Sequence, residues 1–269
     1  MKLPIYDVSS KKIGEMNLPA QFSEGIRQDI ISRAVLAIRS NKRHPHGASP
    51  DAGKRASAEI SKRRRRYRGS YGHGISRSPR KILSRRGTRM FWVGAFAPNT
   101  VGGRRAHPLK AEKNWSIKIN TKERRKAIRS AISATVLRDL VKKRGHIVPN
   151  NYPFALDAKF EELTKTKDVI DILNAIGLGK ELERVEDKSI RSGKGKLRGR
   201  KYKSKKGPLI VVVSKDAKLI KAAANVPGID IVDVKNLNAE LLAPGEVPGR
   251  LTIWTSGAIE MLEKEKLFN

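Results

Sequence analysis

The chain has 269 residues and carries 58 Lys or Arg against 26 Asp or Glu, which gives a formal net charge of +32, and it has no cysteine. This charge is typical of proteins that bind nucleic acid. The lack of cysteine excludes a disulfide scaffold and a Cys-ligated zinc finger, and it fits a cytoplasmic protein. The longest strongly apolar run, residues 209–213, is far shorter than the roughly 20 residues of a membrane-spanning helix.

The first forty residues predict two strands and one helix. The strands cover residues 3–8 and 12–18. Ser23 is a suitable N-cap for a helix that ends near Ser40. Its apolar residues recur every four positions, which predicts one buried stripe: Ile26, Ile30, Ala34 and Ile38.

A strongly basic segment follows, from residue 41 to residue 110. It holds nineteen Lys or Arg against Asp51 and Glu59, and Gly and Pro are scattered through it. So little apolar surface cannot offset the entropy of ordering the chain, about 1–2 kcal/mol per backbone residue. We therefore expect a long irregular loop, inserted in the domain, that a polyanion orders. Residues 186–207, with ten Lys or Arg, form a second basic loop.

The rest of the chain reads as an α/β domain. Asn120 and Glu123 resemble a capping box that opens a long helix, and Gly145 is a natural stop for it. A helix over 167–176 comes next. Strands over 209–213, 229–234 and 251–254 then alternate with helices over 216–224, 238–242 and 257–264. This alternation predicts one α/β domain over residues 1–269, with a parallel sheet of about four strands covered by helices on both faces.

The sequence lacks a recognisable catalytic or cofactor-binding pattern. The glycines and lysines of residues 193–196 lack the earlier Gly and the Ser or Thr of a P-loop, and Arg198 stands where a dinucleotide fingerprint needs Gly. His44 and His46 would suit a metal only as a pair, and among arginines and prolines they are expected to contact phosphate or a base. We therefore predict no catalytic residue, no cofactor and no metal.

A metal-dependent nuclease would need carboxylates that converge on a cation. Asp168 and Asp171 share a helix face, and Asp230 and Asp233 lie around one strand. Solvated element faces are the simpler interpretation of both pairs.

The basic segment also contains five of the fourteen aromatic residues. Aromatic rings stack on unpaired bases, each contributing roughly 1–3 kcal/mol, and arginine planes add to this. Phe91, Trp92 and Phe96 would alternatively form a small apolar anchor. The candidate RNA-binding residues are Arg43, Lys54, Arg55, Arg63, Arg64, Arg65, Arg66, Tyr67, Arg68, Tyr71, Arg77, Arg80, Arg85, Arg86, Arg89, Arg104, Arg105, Lys194, Lys196, Arg198, Arg200 and Lys201.

Several short segments together resemble one family, universal large-subunit ribosomal protein four in its archaeal and eukaryotic form. They are GRRAHPLKAEKN (103–114), NTKER (120–124), RSA (129–131), RGH (144–146), FE (160–161), KT (165–166), GKLRGRKY (195–202), LAPG (242–245) and PGRLT (248–252). The resemblance implies a Rossmann-like domain on the outer face of the large subunit. It also implies a loop that threads ribosomal RNA to the wall of the peptide exit tunnel, beside large-subunit protein twenty-two. The matching tip residues are Gly72, His73, Gly74, Ile75, Ser76, Arg77, Ser78 and Pro79.

The expected function is therefore that of a non-enzymatic component of the large subunit, with ribosomal RNA and neighbouring ribosomal proteins as partners and with neither a membrane nor a small-molecule substrate. An RNA chaperone or translational regulator that acts off the ribosome is the alternative. A metal-dependent RNA nuclease is a third, weaker reading.

Overall fold

A computed structural model describes all residues from 1 to 269. Two compact units make up the chain: a globular unit, Met1–Asn41 with Ser116–Asn269, and a basic unit, Lys42–Trp115. The elements in chain order are β1 (Lys2–Tyr6), β2 (Lys12–Asn17), α1 (Gln28–Asn41), β3 (Arg80–Arg86), β4 (Arg89–Gly94), α2 (Thr121–Val136), α3 (Arg138–Lys143), β5 (Ala155–Leu156), α4 (Thr166–Ala175), α5 (Gly179–Glu186), β6 (Ser189–Ile190), β7 (Tyr202–Lys203), β8 (Leu209–Val212), α6 (Lys218–Ala223), β9 (Asp230–Asp233), α7 (Ala239–Leu242), β10 (Thr252–Thr255) and α8 (Ser256–Lys264).

The globular unit is built on one six-stranded sheet in the order β2-β1-β5-β10-β8-β9. All neighbouring strands are parallel except β1 and β2, which pair antiparallel at the edge. The predicted α/β class is confirmed, but the count of about four strands was too low. Strand β5 has only two residues and no sequence period, so it could not be recognised before its neighbours were known.

The sheet separates two apolar cores. Along β8, Leu209 and Val211 face one core, and Ile210 and Val212 face the other, because successive side chains of a strand point to opposite faces. Helices α1, α2, α7 and α8 cover the first face, and α4 and α6 cover the second. Both faces of the sheet are therefore buried, as the apolar run of β8 indicates.

The prediction that Ser23 caps the first helix was wrong. Ser23 ends a short 3-10 turn, and α1 begins at Gln28. The backbone N–H of Arg27 donates to Ser130 Oγ at 2.7 Å, and that hydroxyl donates to the carbonyl of Gly25 at 3.0 Å. The start of α1 is thus satisfied by a serine of α2, a tertiary contact that local sequence does not show.

The long helix predicted from Asn120 to Gly145 is two helices. Asn120 holds the N-cap position of α2, but its side chain makes no capping hydrogen bond, and Leu137 is extended between α2 and α3. The hydroxyl of the buried Tyr152 donates to the carbonyl of Thr135. That carbonyl is one of the last in α2, where the helix itself offers few partners. Another segment therefore completes the end of α2.

The basic unit contains a β-hairpin that the glycine and proline content did not predict. Strands β3 and β4 pair antiparallel, with an irregularity between Ile82 and Ser84 that leaves Leu83 as the extra residue. Gly87 begins the two-residue turn with φ of 56°, a value that favours glycine in hairpin turns. Gly87 is therefore a turn residue between strands, so the expectation of an irregular loop was wrong for residues 80–94.

The second basic loop is also partly ordered. Strands β6 and β7 pair antiparallel through Ser189 with Lys203 and Ile190 with Tyr202, and a 3-10 turn, Lys194–Arg198, lies between them.

The longest helix of the chain, α2, has 16 residues. No helix combines the length and the apolar composition that crossing a membrane requires.

Candidate nucleic-acid interface

Close backbone contacts hold the two limbs of the basic unit together. The N–H of Ala48 donates to the carbonyl of Leu109 at 2.9 Å. A Cβ on Gly47 would lie 2.5 Å from the backbone nitrogen of Ala111, and one on Gly53 would lie 2.4 Å from the carbonyl carbon of Gly103. Only glycine permits such an approach, so the limbs are joined through the main chain and their charged side chains are left to the surface.

The positive charge of the basic unit is almost uncompensated within the unit. Its residues include twenty Lys or Arg but only three acids, Asp51, Glu59 and Glu112. Glu59 forms an ion pair with Arg68 at 3.3 Å. Unpaired cations at this density repel each other and attract a polyanion.

The structure leaves most of the predicted RNA-binding residues of this unit accessible. Arg68, Arg80 and Arg104 are half-buried. The exposed residues are Arg43, Lys54, Arg55, Arg63, Arg64, Arg65, Arg66, Tyr67, Tyr71, Arg77, Arg85, Arg86, Arg89 and Arg105.

The four consecutive arginines lie in a strained turn. Arg65 has φ of 55° and Arg68 has φ of 61°, both in the left-handed region that non-glycine residues rarely adopt. The N–H of Gly69 donates to the carbonyl of Arg66 at 3.0 Å and closes the turn. Such a conformation costs on the order of 1–2 kcal/mol per residue. The turn therefore presents four exposed guanidinium groups on a backbone that must be held by its surroundings.

Arginine planes stack on the aromatic rings of this unit. The distances from guanidinium carbon to ring centroid are 4.9 Å for Arg77 on Tyr71, 5.3 Å for Arg85 on Tyr67, 5.5 Å for Arg80 on Trp92 and 5.6 Å for Arg89 on Phe91. Phe91 remains 55% exposed, so the alternative of an apolar anchor is wrong for this residue. Alternating cations and rings can contact both the phosphates and the bases of an unpaired strand.

A second group of stacked cations surrounds Trp115, which the sequence prediction missed. Arg43 lies 3.8 Å and Lys113 4.4 Å from the ring, and His46 stacks on it at 5.2 Å with an interplanar angle of 7°. His46 Nδ1 donates to the carbonyl of His44 at 2.9 Å, so the two histidines are not arranged as a metal pair. The predicted basic segment ended at residue 110 because its end was set by net charge alone. The pattern of cations beside aromatic rings continues to Lys113 and Trp115.

The candidate tip residues form an exposed turn fixed by Arg80. Gly72 and Gly74 have φ of 77° and 65°. The guanidinium of Arg80 donates to the carbonyls of Ser76 and Ser78, at 2.6 and 3.3 Å, and to Ser76 Oγ at 3.1 Å. Arg80 was predicted to contact RNA, but in this structure its donors hold the turn. Ile75, Ser78 and Pro79 are half-buried, and the other tip residues are exposed.

The second basic loop presents its cations on a closed hairpin. Arg191 donates through Nε to the carbonyl of Arg200 at 3.1 Å. At the base of the loop, Arg184 donates to the carbonyl of Lys206 at 2.9 Å, and Lys205 pairs with Asp187 at 2.9 Å. The predicted RNA-binding residues here are all exposed: Lys194, Lys196, Arg198, Arg200 and Lys201.

Neighbouring side chains engage Asp230 and Asp233, one of the two carboxylate pairs that a nuclease could use. Asp230 accepts from Arg250 at 2.6 Å and from Lys206 at 2.9 Å; burial opposes ionisation, but these two cations hold the pKa of Asp230 below its usual value. Asp233 accepts from the amide of Asn236 at 2.7 Å. No group of three His, Cys, Asp or Glu side chains is placed to hold a metal ion. Asp233 is buried and Asp230 is half-buried, so the expectation of a solvated strand face was wrong for this pair.

In the crevice in which parallel sheets often bind ligands, a carboxylate bridges two strands. Such crevices lie at the carboxyl ends of neighbouring strands that are followed by helices on opposite faces of the sheet. Here β8 is followed by α6 on one face and β10 by α8 on the other. Glu161 Oε1 accepts there from the N–H of Val213 at 3.1 Å and from Thr255 Oγ1 at 2.6 Å. The carboxylate thereby ties β8 to β10.

The sequence is similar to known ribosomal proteins over nearly its whole length. Residues 16–265 match the model of the Ribosomal protein L4/L1 family. Large ribosomal subunit protein uL4 of Nanoarchaeum equitans is 54% identical over 268 residues, which is 100% of both chains. The proteins of the same name from Archaeoglobus fulgidus and Methanococcoides burtonii are 44% and 46% identical, over 97% and 96% of this chain and 98% and 96% of their own.

These relatives confirm the resemblance read from the motifs, and they confirm that the chain is a ribosomal protein rather than an enzyme. The chain belongs to the ribosomal protein L4/L1 family.

Proposed function

We propose that the chain is a structural component of the large ribosomal subunit in the cytoplasm, and that the basic unit is its main contact with ribosomal RNA. In this proposal the globular unit is the Rossmann-like domain at the subunit surface, next to other ribosomal proteins. The observation that carries the proposal is the basic unit itself, with twenty Lys or Arg, three acids and arginine planes stacked on exposed rings.

The shape of this surface favours folded RNA over a DNA groove. A protein that reads the major groove needs a regular helix or ribbon. The hairpin of the basic unit is short and interrupted at Leu83, and exposed rings such as Tyr67 and Phe91 lie among its cations. In RNA, loops and bulges offer unstacked bases to such rings, and the phosphates around them meet the arginines.

Two more surfaces extend the proposed interface. Within the basic unit, the Trp115 group contributes Arg43 and Lys113. Beyond it, the second basic loop adds five exposed cations of the globular unit, including Lys194 and Arg200. We infer that the turn of residues 72–79 reaches the wall of the exit tunnel, beside large-subunit protein twenty-two. Its exposure and its small residues suit a narrow passage, and Arg80 fixes its shape.

Sedimentation of large subunits through a high-salt cushion tests the architectural role. A protein that is folded into RNA at many points stays with the subunit, whereas a factor held by surface charge alone is released because salt weakens phosphate contacts. Release of this chain together with the translation factors would refute the proposal and favour a regulator that acts off the ribosome.

Crosslinking from a single cysteine tests the tunnel contact. The chain has no native cysteine, so His73→Cys provides a unique thiol in the exposed turn. We expect it to crosslink to a nascent chain on the ribosome, and the matched variant Lys11→Cys, on the exposed β1–β2 turn of the globular unit, to give no such product. Crosslinking from Lys11→Cys but not from His73→Cys would place the tunnel contact elsewhere.

A further inference from the structure

The candidate tip turn and the hairpin end border one cleft in the basic unit. Its volume is about 490 Å³, within the range of about 300–1,000 Å³ that is usual for small-ligand sites. The lining residues that matter here are Arg66, Tyr67, Arg68, His73, Arg89 and Trp92. The cleft therefore combines flat aromatic walls with several hydrogen-bond donors.

Stacked arginines hold the aromatic walls of the cleft in place. One of them, Arg68, lines the cleft and lies 5.9 Å from the Tyr67 ring. Arg80 lies 5.5 Å from the Trp92 ring and Arg85 lies 5.3 Å from the Tyr67 ring, and neither arginine is a lining residue. Ile75 and Met90 add apolar lining. The two rings are thus positioned without the cleft being filled, which leaves space for a planar group to stack.

Of the polar side chains that line the cleft, only Arg68 is paired within the protein. The side chains of Arg66 and His73 make no hydrogen bond or ion pair. Arg68 gives one terminal nitrogen to Glu59, but its Nε is buried without a partner, as is the hydroxyl of Ser70, a residue only 5% exposed. A buried polar atom left unpaired costs about 1–3 kcal/mol. Arg68 lines the cleft, so its unpaired nitrogen indicates that a partner is missing there.

We propose that this cleft binds one unpaired guanine nucleotide of the RNA that the basic unit contacts. Guanine presents two acceptors, O6 and N7, on one edge, and arginine is the side chain that most often recognises that edge. The base stacks against Trp92 and Tyr67, and Arg66 and Arg68 donate to its edge. The inference rests on the proposed function, because the guanine belongs to a bound RNA strand.

Binding of two uridine decanucleotides to the full chain tests the inference. One carries a central guanosine and the other an abasic residue at the same position, so both have the same number of phosphates. Since stacking contributes roughly 1–3 kcal/mol per base, the guanosine strand should bind about 5- to 150-fold more tightly in fluorescence anisotropy. Equal affinities would overturn the inference and leave RNA binding by the basic unit intact. If neither strand binds with an affinity that depends on salt, the proposed function is overturned as well.

Variants locate the effect in the cleft. Trp92→Ala should remove the preference for the guanosine strand without changing the affinity of the abasic strand. Val93→Ala is the matched control, because Val93 is the following residue of β4, is exposed and does not line the cleft. Arg66→Gln changes an exposed side chain without partners, so it leaves the fold intact, and it should reduce the preference for guanosine over adenosine at the central position.

Two further outcomes would contradict the assignment. If a central adenosine binds the unchanged chain as tightly as guanosine does, the cleft does not select guanine. If free guanosine monophosphate binds as tightly as the decanucleotide, the cleft is a mononucleotide site and not part of an RNA interface.

Discussion

Removal of the four consecutive arginines should weaken RNA binding. It should also reduce the salt dependence of the affinity by a predictable amount. Arg63, Arg64, Arg65 and Arg66 are all exposed and have no ion-pair partner. Each phosphate contact contributes a slope of about −0.7 for single-stranded and −0.9 for duplex nucleic acid in a plot of log affinity against log salt. Because Arg66 is assigned to the base edge, the three lost phosphate contacts of Arg63, Arg64 and Arg65 should flatten the slope by about 2–3 units. Serine suits positions 63, 64 and 66, and glycine suits position 65 because its φ is 55°.

The assay is filter binding of the full chain to a large-subunit ribosomal RNA transcript across a series of salt concentrations. The matched control also removes four positive charges, but from lysines that already pair with acids of the globular unit: Lys12, Lys205, Lys235 and Lys264. We expect that control to change the slope much less. An unchanged slope in the arginine variant, or an equal change in the lysine control, would mean that the turn does not contact phosphates and that only total charge matters.

Three other predictions concern stability. Glu181 accepts from Arg184, His146 and the N–H of Ile147 at 2.6–2.9 Å. Glu181→Gln should therefore lower the free energy of unfolding in urea by about 3–5 kcal/mol. The control Glu183→Gln, exposed on the same helix, should change it by no more than about 0.5 kcal/mol. Burial lowers the pKa of His146, so the unfolded chain takes up the proton at a higher pH than the folded chain does. The free energy of unfolding should therefore fall as the pH drops below about 6.5. His146→Asn should make that fall smaller. Gly53→Ala should make the basic unit more sensitive to proteases than Gly102→Ala does. Both glycines have φ of 73°, but only at Gly53 would an added Cβ clash with backbone atoms. Equal sensitivity of the two variants would contradict the close approach.

Much of the fold of the globular unit was predictable because its elements are amphipathic and end at clear stops. Helix α4 and the alternating strands and helices from β8 to α8 lie close to their predicted positions. The two failures at helix ends share one physical cause. Ser130 completes the start of α1 and Tyr152 the end of α2, so a distant side chain replaces the local cap on which the sequence argument relied.

The interface was predictable in composition but not in geometry. Exposed arginines and tyrosines follow from the charge and the low apolar content, because such residues have no core to enter. The stacked group at Trp115 and the use of Arg80 to hold Ser76 depend on contacts that only the folded chain defines. The carboxylate of Glu161 in the sheet crevice likewise has no local sequence pattern.

The basic unit lacks the apolar core that would hold it without a partner. Ala95 is its only buried hydrophobic residue, although the unit spans 74 residues from Lys42 to Trp115. Ordering each residue costs about 1–2 kcal/mol of backbone entropy, and backbone contacts such as that of Ala48 with Leu109 return only about 0.5–1.5 kcal/mol each. In the proposed function, phosphates that neutralise the arginines supply the missing stabilisation. The fold of this unit and its binding of RNA are therefore one equilibrium, so hydrogen exchange of residues 42–115 should be fast in the free chain and slow once RNA is bound, while the globular unit stays protected in both states.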